Sequence, residues 1–259
     1  MKSVFDRGMV MRFQGAVVLI TGGTRGIGLQ VARGFAAEGG LVTVVGRDSG
    51  TGKEAVRAVD GISFIQCDVR RAEDCKRAIA DVLRTHGRLD VLVNNAGVIY
   101  RNRTVDQTTE EEWDTTFEVN VRGAFLMSKY AIQTLREAKG NIVNVSSYVG
   151  LVGFAGAAAY AASKAALVNL TRTMALDHAG EGVRINCVCP GSVDTEMIRD
   201  AWRSYGDVAE AEQLWNAKHP LGRIAKPDEV SRAILFMASS EASFITGAAL
   251  PVDGGITAG

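Results

Sequence analysis

The stretch that decides the fold is residues 16–36, AVVLI-TGGTRGIG-LQVARGFA. Its first part, Ala16 to Ile20, is a continuous aliphatic run, which is typical of a parallel β-strand buried on both faces. Its last part predicts a helix, and glycines in the pattern G-x-x-x-G-x-G lie between the two. Such glycines let backbone N–H groups at a helix N terminus approach a phosphate. The stretch therefore predicts a strand–turn–helix unit with an anion site at its turn.

The same alternation continues along the chain. Further strands are predicted over residues 41–45, 63–69, 89–93, 141–146, 184–188 and 248–252, and helices over 72–86, 109–138, 157–179 and from 227. Residues 192–219 look less regular. No linker or repeat divides the chain, so we predict one α/β domain over residues 13–259, a Rossmann-type doubly wound parallel sheet with helices on both faces. Residues 1–12 are expected to form a poorly ordered N-terminal extension.

The composition narrows the classes of partner. The formal net charge is zero, which gives no electrostatic case for a nucleic acid or an anionic membrane as partner. No apolar run approaches the roughly 18 residues of a membrane span, so a cytoplasmic protein is expected. The cysteines (Cys67, Cys75, Cys187 and Cys189) and the three histidines show no metal-ligand spacing, and no metal is predicted.

The end of the second strand bears on the choice of dinucleotide. NAD-binding Rossmann units carry an acidic residue there for the ribose hydroxyls. Here Gly46 takes that place, Arg47 follows it, and Arg25 lies in the glycine-rich turn. Two guanidinium groups suit a 2′-phosphate, which favours NADP(H) over NAD(H). NAD(H) stays possible, because a strand end shifted by one residue would bring Asp48 to the ribose.

A third feature is the segment from Ser147 to Lys164. Tyr160 and Lys164 are four residues apart in an alanine-rich helix and therefore lie on one face. A nearby ammonium favours the phenolate form of a tyrosine, which suits general acid–base chemistry. Ser147 follows a strand and can hold a carbonyl or hydroxyl oxygen. Taken alone, the pair is weak evidence, because a half-buried tyrosine beside a surface lysine gives the same pattern.

Together these motifs resemble the short-chain dehydrogenase/reductase family. The matching motifs, in that family's order, are T-G-x-x-x-G-x-G at 21–28, N-N-A-G at 94–97, Asn120, Ser147, Tyr160-x-x-x-Lys164 and P-G-x-x-x-T at 190–195. The resemblance covers about residues 13–255. It implies hydride transfer between nicotinamide C4 and a secondary alcohol or ketone.

The resemblance also implies roles for single residues. Tyr160 would be the general acid–base, Lys164 would assist it and hold the nicotinamide ribose, and Ser147 would orient the substrate oxygen. Asn120 would complete a water-linked proton path from Lys164; its alternative role is a buried amide in a bent helix. The implied cofactor-binding residues are Gly22, Thr24, Arg25, Gly26, Ile27, Gly28, Arg47, Asp68, Val69, Asn94, Ala96, Gly97, Tyr160, Lys164, Pro190, Gly191, Val193 and Thr195.

Within this set, the resemblance places Asp68 against the adenine and Val193 with Thr195 against the carboxamide. Asp68 has an alternative role as a turn residue, and Asn94 as a structural strand-end cap.

Two further features of the sequence concern the substrate and the assembly. Aromatic and apolar residues of the 192–220 region and its surroundings suggest a hydrophobic or ring-containing alcohol or ketone, unless they only anchor a lid. These residues are Tyr100, Tyr148, Phe154, Trp202, Tyr205, Leu214 and Trp215. The family resemblance implies a homotetramer built on the helices at 109–138 and 157–179.

Three other functions are alternatives, and each is disfavoured by a feature of the sequence. A 3-oxoacyl-thioester reductase is weakened because Ala138 and Glu181 stand where carrier-protein reductases have basic residues, with Arg136 and Lys139 only nearby. A non-catalytic NADP-binding sensor on the same fold conflicts with the intact Ser-Tyr-Lys set. An epimerase or dehydratase of the related extended family conflicts with the chain length and the glycine spacing.

Overall fold

Seven parallel strands form one sheet in the computed structural model, which describes residues 11–203 and 207–259. The strands are β1 Val17–Thr21, β2 Leu41–Gly46, β3 Ile62–Gln66, β4 Val91–Asn94, β5 Asn141–Val145, β6 Arg184–Pro190 and β7 Ala249–Val252, in the order β3-β2-β1-β4-β5-β6-β7. The strand order reverses beside β1, because β1 pairs with both β2 and β4. This confirms the predicted doubly wound sheet.

Nine α-helices connect and cover the strands in the described part of the chain. They are α1 Gly26–Ala37, α2 Ser49–Ala58, α3 Ala72–His86, α4 Glu110–Phe117, α5 Gly123–Ala138, α6 Ala158–His178, α7 Glu196–Arg203, α8 Val208–Ala217 and α9 Pro227–Ala238. A π-helical turn, Glu118–Arg122, joins α4 to α5. The predicted helix over 109–138 is therefore one continuous helical run with a π turn in its middle.

The core has two layers because successive side chains of β1 point to opposite faces of the sheet. Val18 and Ile20 pack in the apolar cluster that contains residues of α1 and α9. Val17 and Leu19 pack in the cluster that contains residues of α3 and α5. All five residues of β1 are buried, as the aliphatic run predicted.

The region over 192–219 differs from the expectation of irregular structure, because it contains α7 and α8. Their buried side chains form a small apolar cluster apart from the sheet core, with Trp202 and Trp215 at its centre. Each helix has ten residues or fewer, so its apolar pattern, although clear in α7 where Ile198, Ala201 and Trp202 are buried, extends over too few residues to predict a helix. We refer to α7 and α8 together as the lid.

The start of the described chain is tied to the domain by ion pairs. Residues 1–10 of the predicted extension lie outside the described residues, whereas Arg12 forms ion pairs with Glu38 at 2.6 Å and Glu241 at 3.1 Å. Among the described helices, none combines the length and the apolar character that a membrane crossing requires.

Candidate active site

The carboxyl ends of β1, β4, β5 and β6 meet at one edge of the sheet, where the strand order reverses. Crevices at such reversal points are the usual ligand sites of open α/β sheets. A pocket at this edge is lined by Ser147 after β5, Tyr160 on α6, Pro190 at the end of β6, and Val193 and Thr195 after it. The lid closes its far side with Met197, Ile198 and Trp215.

Lys164 and Tyr160 are close together in this pocket region. Lys164 is 3% exposed, and its Nζ donates a hydrogen bond of 2.9 Å to the carbonyl oxygen of Val145 at the end of β5. The same Nζ lies 5.6 Å from the centroid of the Tyr160 ring. Tyr160 is half-buried, and Ser147 is 7% exposed beside it in the pocket wall. The structure thus brings the predicted Ser-Tyr-Lys set together.

Asn120 lies in the π turn and is 1% exposed. Its Oδ1 accepts from the Val98 N–H at 2.8 Å, and its Nδ2 donates to the Val98 carbonyl and to Ser163 Oγ, both at 3.0 Å. These bonds link the helical run to α6 and to the loop after β4. Asn120 also lies near Lys164, since a Cβ added at Gly97 would be 3.4 Å from Asn120 Oδ1 and 3.5 Å from Lys164 Nζ. The geometry is that of a buried amide satisfied in an irregular helix, and the proton path stays a prediction.

The glycine-rich turn is packed too tightly for side chains. A Cβ at Gly28 would lie 2.3 Å from the Gly22 carbonyl oxygen and 2.5 Å from Asn95 Nδ2. That amide donates to the carbonyl oxygens of Thr21 and Gly22, at 3.0 and 2.9 Å, and so fixes the turn against β4. Sequence reasoning missed Asn95, although the Asn-Asn doublet at the strand end was visible.

The N terminus of α1 has the properties of an anion-binding site. No side chain caps it, and its first turn contains no acidic residue. Its first N–H groups therefore have no side-chain acceptor, and the helix dipole favours a negative group there. Gly26 has a φ of +55° and lies against Thr195, with 3.4 Å between its added Cβ and Thr195 Cγ2. These features fit the phosphates of a dinucleotide.

The acidic residue that follows β2 is used as a helix cap. Asp48 caps the N terminus of α2, where its carboxylate accepts from the Thr51 N–H at 2.7 Å. The hydrogen bonds from Thr51 lower the pKa of Asp48. Gly46 faces Thr24 in the glycine-rich turn, with 3.0 Å between its added Cβ and Thr24 Cγ2. Arg47 is exposed after it, and Arg25 is exposed near Glu196, at 3.8 Å.

Two predicted cofactor residues after β3 have partners within the protein. Asp68 forms an ion pair of 2.6 Å with Arg70. Burial opposes ionisation of Asp68, but the hydrogen bonds from Arg70 outweigh it and lower the pKa of the carboxyl. Val69 is 6% exposed and packs against Gly123 at the start of α5.

Asn94 has a buried and hydrogen-bonded side chain. Its side chain is 3% exposed, and its Nδ2 donates to Ser128 Oγ at 3.1 Å and to Asn144 Oδ1 at 2.9 Å. The amide is thus held between β4, β5 and α5. This arrangement fits the structural role that the sequence allowed, and a contact of Asn94 with the cofactor stays a prediction.

His219, which sequence reasoning missed, supports the loop after β6. It is 2% exposed; its Nε2 accepts from the Ser192 N–H at 3.1 Å, and its Nδ1 lies 3.0 Å from the Trp215 carbonyl oxygen. These partners assign the proton to Nδ1. A Cβ at Gly191 would lie 2.9 Å from His219 Nε2, so only glycine allows this approach. The histidine links the lid to the loop that lines the pocket. A single histidine without a motif gave no signal of this.

Only some of the predicted substrate-side aromatics reach the pocket. Tyr148, Phe154 and Trp215 line it, with ring centroids 6.0 Å apart for the first two and 6.5 Å for the last two. Burial raises the pKa of Tyr148 to about 12. Trp202 is buried within the lid, while Tyr100 and Leu214 are exposed, and Tyr205 lies outside the described residues.

Comparisons with known proteins place this geometry in a family. Residues 22–257 match the family model described as Enoyl-(Acyl carrier protein) reductase. The chain is 42% identical to meso-2,3-butanediol dehydrogenase of Serratia marcescens, over 96% of this chain and 97% of that protein. It is 37% identical to L-fucose dehydrogenase of Bos taurus, over 97% and 93%.

A solved structure agrees with these relatives. The ligand-free aldohexose dehydrogenase of Thermoplasma acidophilum superposes with a TM-score of 0.90 at 34% identity, over 97% of both chains. Fold, motifs and relatives lead to one conclusion: the chain belongs to the short-chain dehydrogenase/reductase family, whose members named here are alcohol and sugar oxidoreductases.

Proposed function

We propose that this protein is an NADP(H)-dependent oxidoreductase that interconverts a secondary alcohol and its ketone, with Tyr160 as the general acid–base. The observation that carries the proposal is the buried ammonium of Lys164, which lies beside the Tyr160 ring at 5.6 Å and is held by the Val145 carbonyl. A cation fixed there stabilises a phenolate, so the tyrosine can give a proton to the substrate oxygen or take one from it.

Ser147 has the geometry to orient the substrate oxygen. Its Oγ accepts from the Val149 N–H at 3.4 Å, which leaves the hydroxyl hydrogen available to donate. Together with Tyr160, it would present two hydroxyl groups to one substrate oxygen. The nicotinamide, when bound, supplies or accepts the hydride.

The dinucleotide would be held by the chain's own groups at three places. The uncapped N terminus of α1 suits the pyrophosphate, the loop over residues 190–195 suits the nicotinamide, and Lys164 suits its ribose. Preference for NADP(H) is supported by Arg25 and Arg47, and by the use of Asp48 as a helix cap. We expect the double variant R25A/R47A to raise the KM for NADPH about 10- to 100-fold, as loss of charge-assisted contacts implies, with little effect on NADH. Equal effects on both nucleotides would contradict NADP(H) preference.

Reaction and substrate class can be tested together. NADPH and NADH consumption would be measured against a diketone, a cyclic ketone, a keto-sugar and an acyl thioester; the first three represent the alcohols and sugars in the relatives' names. Tyr160→Phe is expected to bind NADPH as the wild type does and to lose turnover. Full activity of that variant would refute the role of Tyr160, and tight NADPH binding without turnover of any compound would favour a sensor.

A 3-oxoacyl-thioester reductase is the second candidate, because the matched family model carries an acyl-carrier description. A carrier protein is acidic and needs exposed basic groups. Arg136, one of the two basic residues near the expected docking place, forms an ion pair with Glu181 at 2.6 Å, and His178 contacts the same carboxylate at 2.8 Å. Neutralisation of Arg136 by Glu181 disfavours the docking of an acidic carrier protein. Faster turnover of the acyl thioester than of the other ketones would make the thioester reductase the preferred function.

We also propose a homotetramer. Phe125 on α5 is 45% exposed and Leu176 on α6 is 83% exposed, so both helices that the family resemblance assigns to subunit contacts carry exposed apolar side chains. Light scattering at working concentration is expected to give four times the chain mass, and a monomer mass would contradict the proposal.

A further inference from the structure

The charge of the pocket wall is one-sided. Among the lining residues in the described part of the chain, Arg101 alone carries a full charge at neutral pH, and none is acidic. Arg101 is half-buried, so its charge is less screened by solvent than that of a surface arginine. Its positive charge also opposes the rise in pKa that burial causes at Tyr148, another residue of the pocket wall.

Two cations flank the aromatic part of this wall. The Arg101 guanidinium carbon lies 5.8 Å from the Trp215 ring centroid. Lys218 Nζ lies 4.5 Å from the same centroid and 5.7 Å from that of Phe154. Cations near aromatic faces are held in place by the ring quadrupole. Positive charge is therefore positioned on the lid side of the pocket.

The same wall contains hydrogen-bonding groups without partners. Trp215 Nε1 and Ser192 Oγ are buried and have no hydrogen-bond partner within the described residues. An indole N–H can only donate, and a hydroxyl can donate as well as accept. Buried donors left without acceptors are unfavourable, so an acceptor oxygen that reached them would be favoured.

We propose that the substrate is a keto acid or hydroxy acid whose carboxylate lies on the lid side of the pocket and is bound by Arg101, with Lys218 reinforcing the attraction. The inference rests on the proposed function, because Ser147 and Tyr160 define where the reacting carbon lies. Guanidinium groups bind carboxylates through paired, charge-assisted hydrogen bonds, which makes Arg101 the primary contact. Lys218 is exposed and acts mainly through its charge.

The test compares each acid with its own methyl ester, which has the same carbon skeleton and ketone, lacks the charge and adds one methyl group. Acetoacetate, levulinate and 5-oxohexanoate, with their methyl esters, vary the spacing between ketone and carboxylate. The wild type is expected to prefer one acid over its ester by about 10- to 100-fold in kcat/KM, the effect of a charge-assisted contact, and to lose part of that preference at high salt. Arg101→Gln is expected to remove most of the ratio, Arg101→Lys to keep part of it, and Lys218→Gln to reduce it by a smaller factor.

Arg84→Gln is the matched control, since Arg84 is an exposed arginine on α3, and the ratio is expected to stay at the wild-type value. Calorimetric binding of each acid and ester to the enzyme with NADP⁺ gives a second readout that needs no turnover. Equal kcat/KM and equal binding for acid and ester, or a ratio unchanged in Arg101→Gln, would overturn the inference. Absence of turnover for every acid, ester, diketone and sugar would instead refute the proposed function, and the binding data would still decide the role of Arg101.

Discussion

Asn120→Ala offers the sharpest test of how the site is built. The substitution removes three hydrogen bonds, two to the backbone of Val98 and one to Ser163. Each is worth roughly 0.5–1.5 kcal/mol net, so the sum is about 3 kcal/mol, and partners left without water would add to it. For a chain of this size, about 1 kcal/mol shifts the melting temperature by roughly 2–4 °C. We therefore expect a fall of about 6–12 °C.

The assay is thermal unfolding followed by circular dichroism, at one protein concentration and without nucleotide. Asn169→Ala is the matched control, because Asn169 is exposed on α6 and its loss is expected to shift the melting temperature by less than about 2 °C. If the melting temperature of Asn120→Ala falls by no more than that of Asn169→Ala, the argument that the buried amide holds the π turn against α6 is refuted. Turnover well below the melting temperature then tests the separate proton-path role.

Three further predictions concern the lid link, the acid stability and the glycine-rich turn. His219→Gln places an amide oxygen where Nε2 accepts from Ser192, so its kcat is expected to stay within about threefold of the wild-type value. His219→Asn is shorter, and its kcat is expected to fall about 10-fold or more because the loop after β6 is displaced. Equal kcat values for the two variants would contradict the link. Hydrogen bonds from Arg223 lower the pKa of Glu229 from 4.5 to about 2, so its ionised form stabilises the fold above pH 4.5 and this stabilisation is lost as the pH falls towards 2. In thermal melts, Glu229→Gln is therefore expected to be less stable than the wild type at pH 7, and the difference is expected to narrow as the pH falls from 4.5 towards 2. A difference that does not change with pH would contradict this prediction. Gly28→Ala is expected to abolish NADPH binding in fluorescence titrations, because its Cβ would lie 2.3 Å from a carbonyl oxygen, and wild-type affinity would show that the turn tolerates widening.

The sequence predicted those parts of the fold that depend on strong local patterns. The aliphatic run before the glycine-rich turn gives β1, because a strand buried on both faces needs no polar alternation. The predicted helix start at residue 109 is correct, since Thr109 is the N-cap of α4 and forms a capping box with Glu112. The spacing of Tyr160 and Lys164 was sufficient to place them together, since both lie on one helix.

What the sequence could not give depends on contacts between distant segments. The π turn at Asn120 follows from bonds to Val98 and Ser163, which are far away along the chain. Asn94 belongs to a matching motif, yet its side chain is directed to Asn144 by strand pairing that the motif does not encode. Arg101 has no motif at all, and only the folded pocket shows that it stands alone in charge among the described lining residues.

The separate apolar cluster of the lid has a consequence for how this enzyme can diversify. Ile198, Trp202 and Trp215 pack with Ala211 and Ile224 in a cluster separate from the two clusters that cover the sheet. Exchanges in α7 and α8 therefore reshape the pocket while the packing of the sheet stays intact. Selection, natural or in the laboratory, can change what the enzyme accepts at little risk to its folding, and a library confined to the lid is the efficient place to search for new specificity.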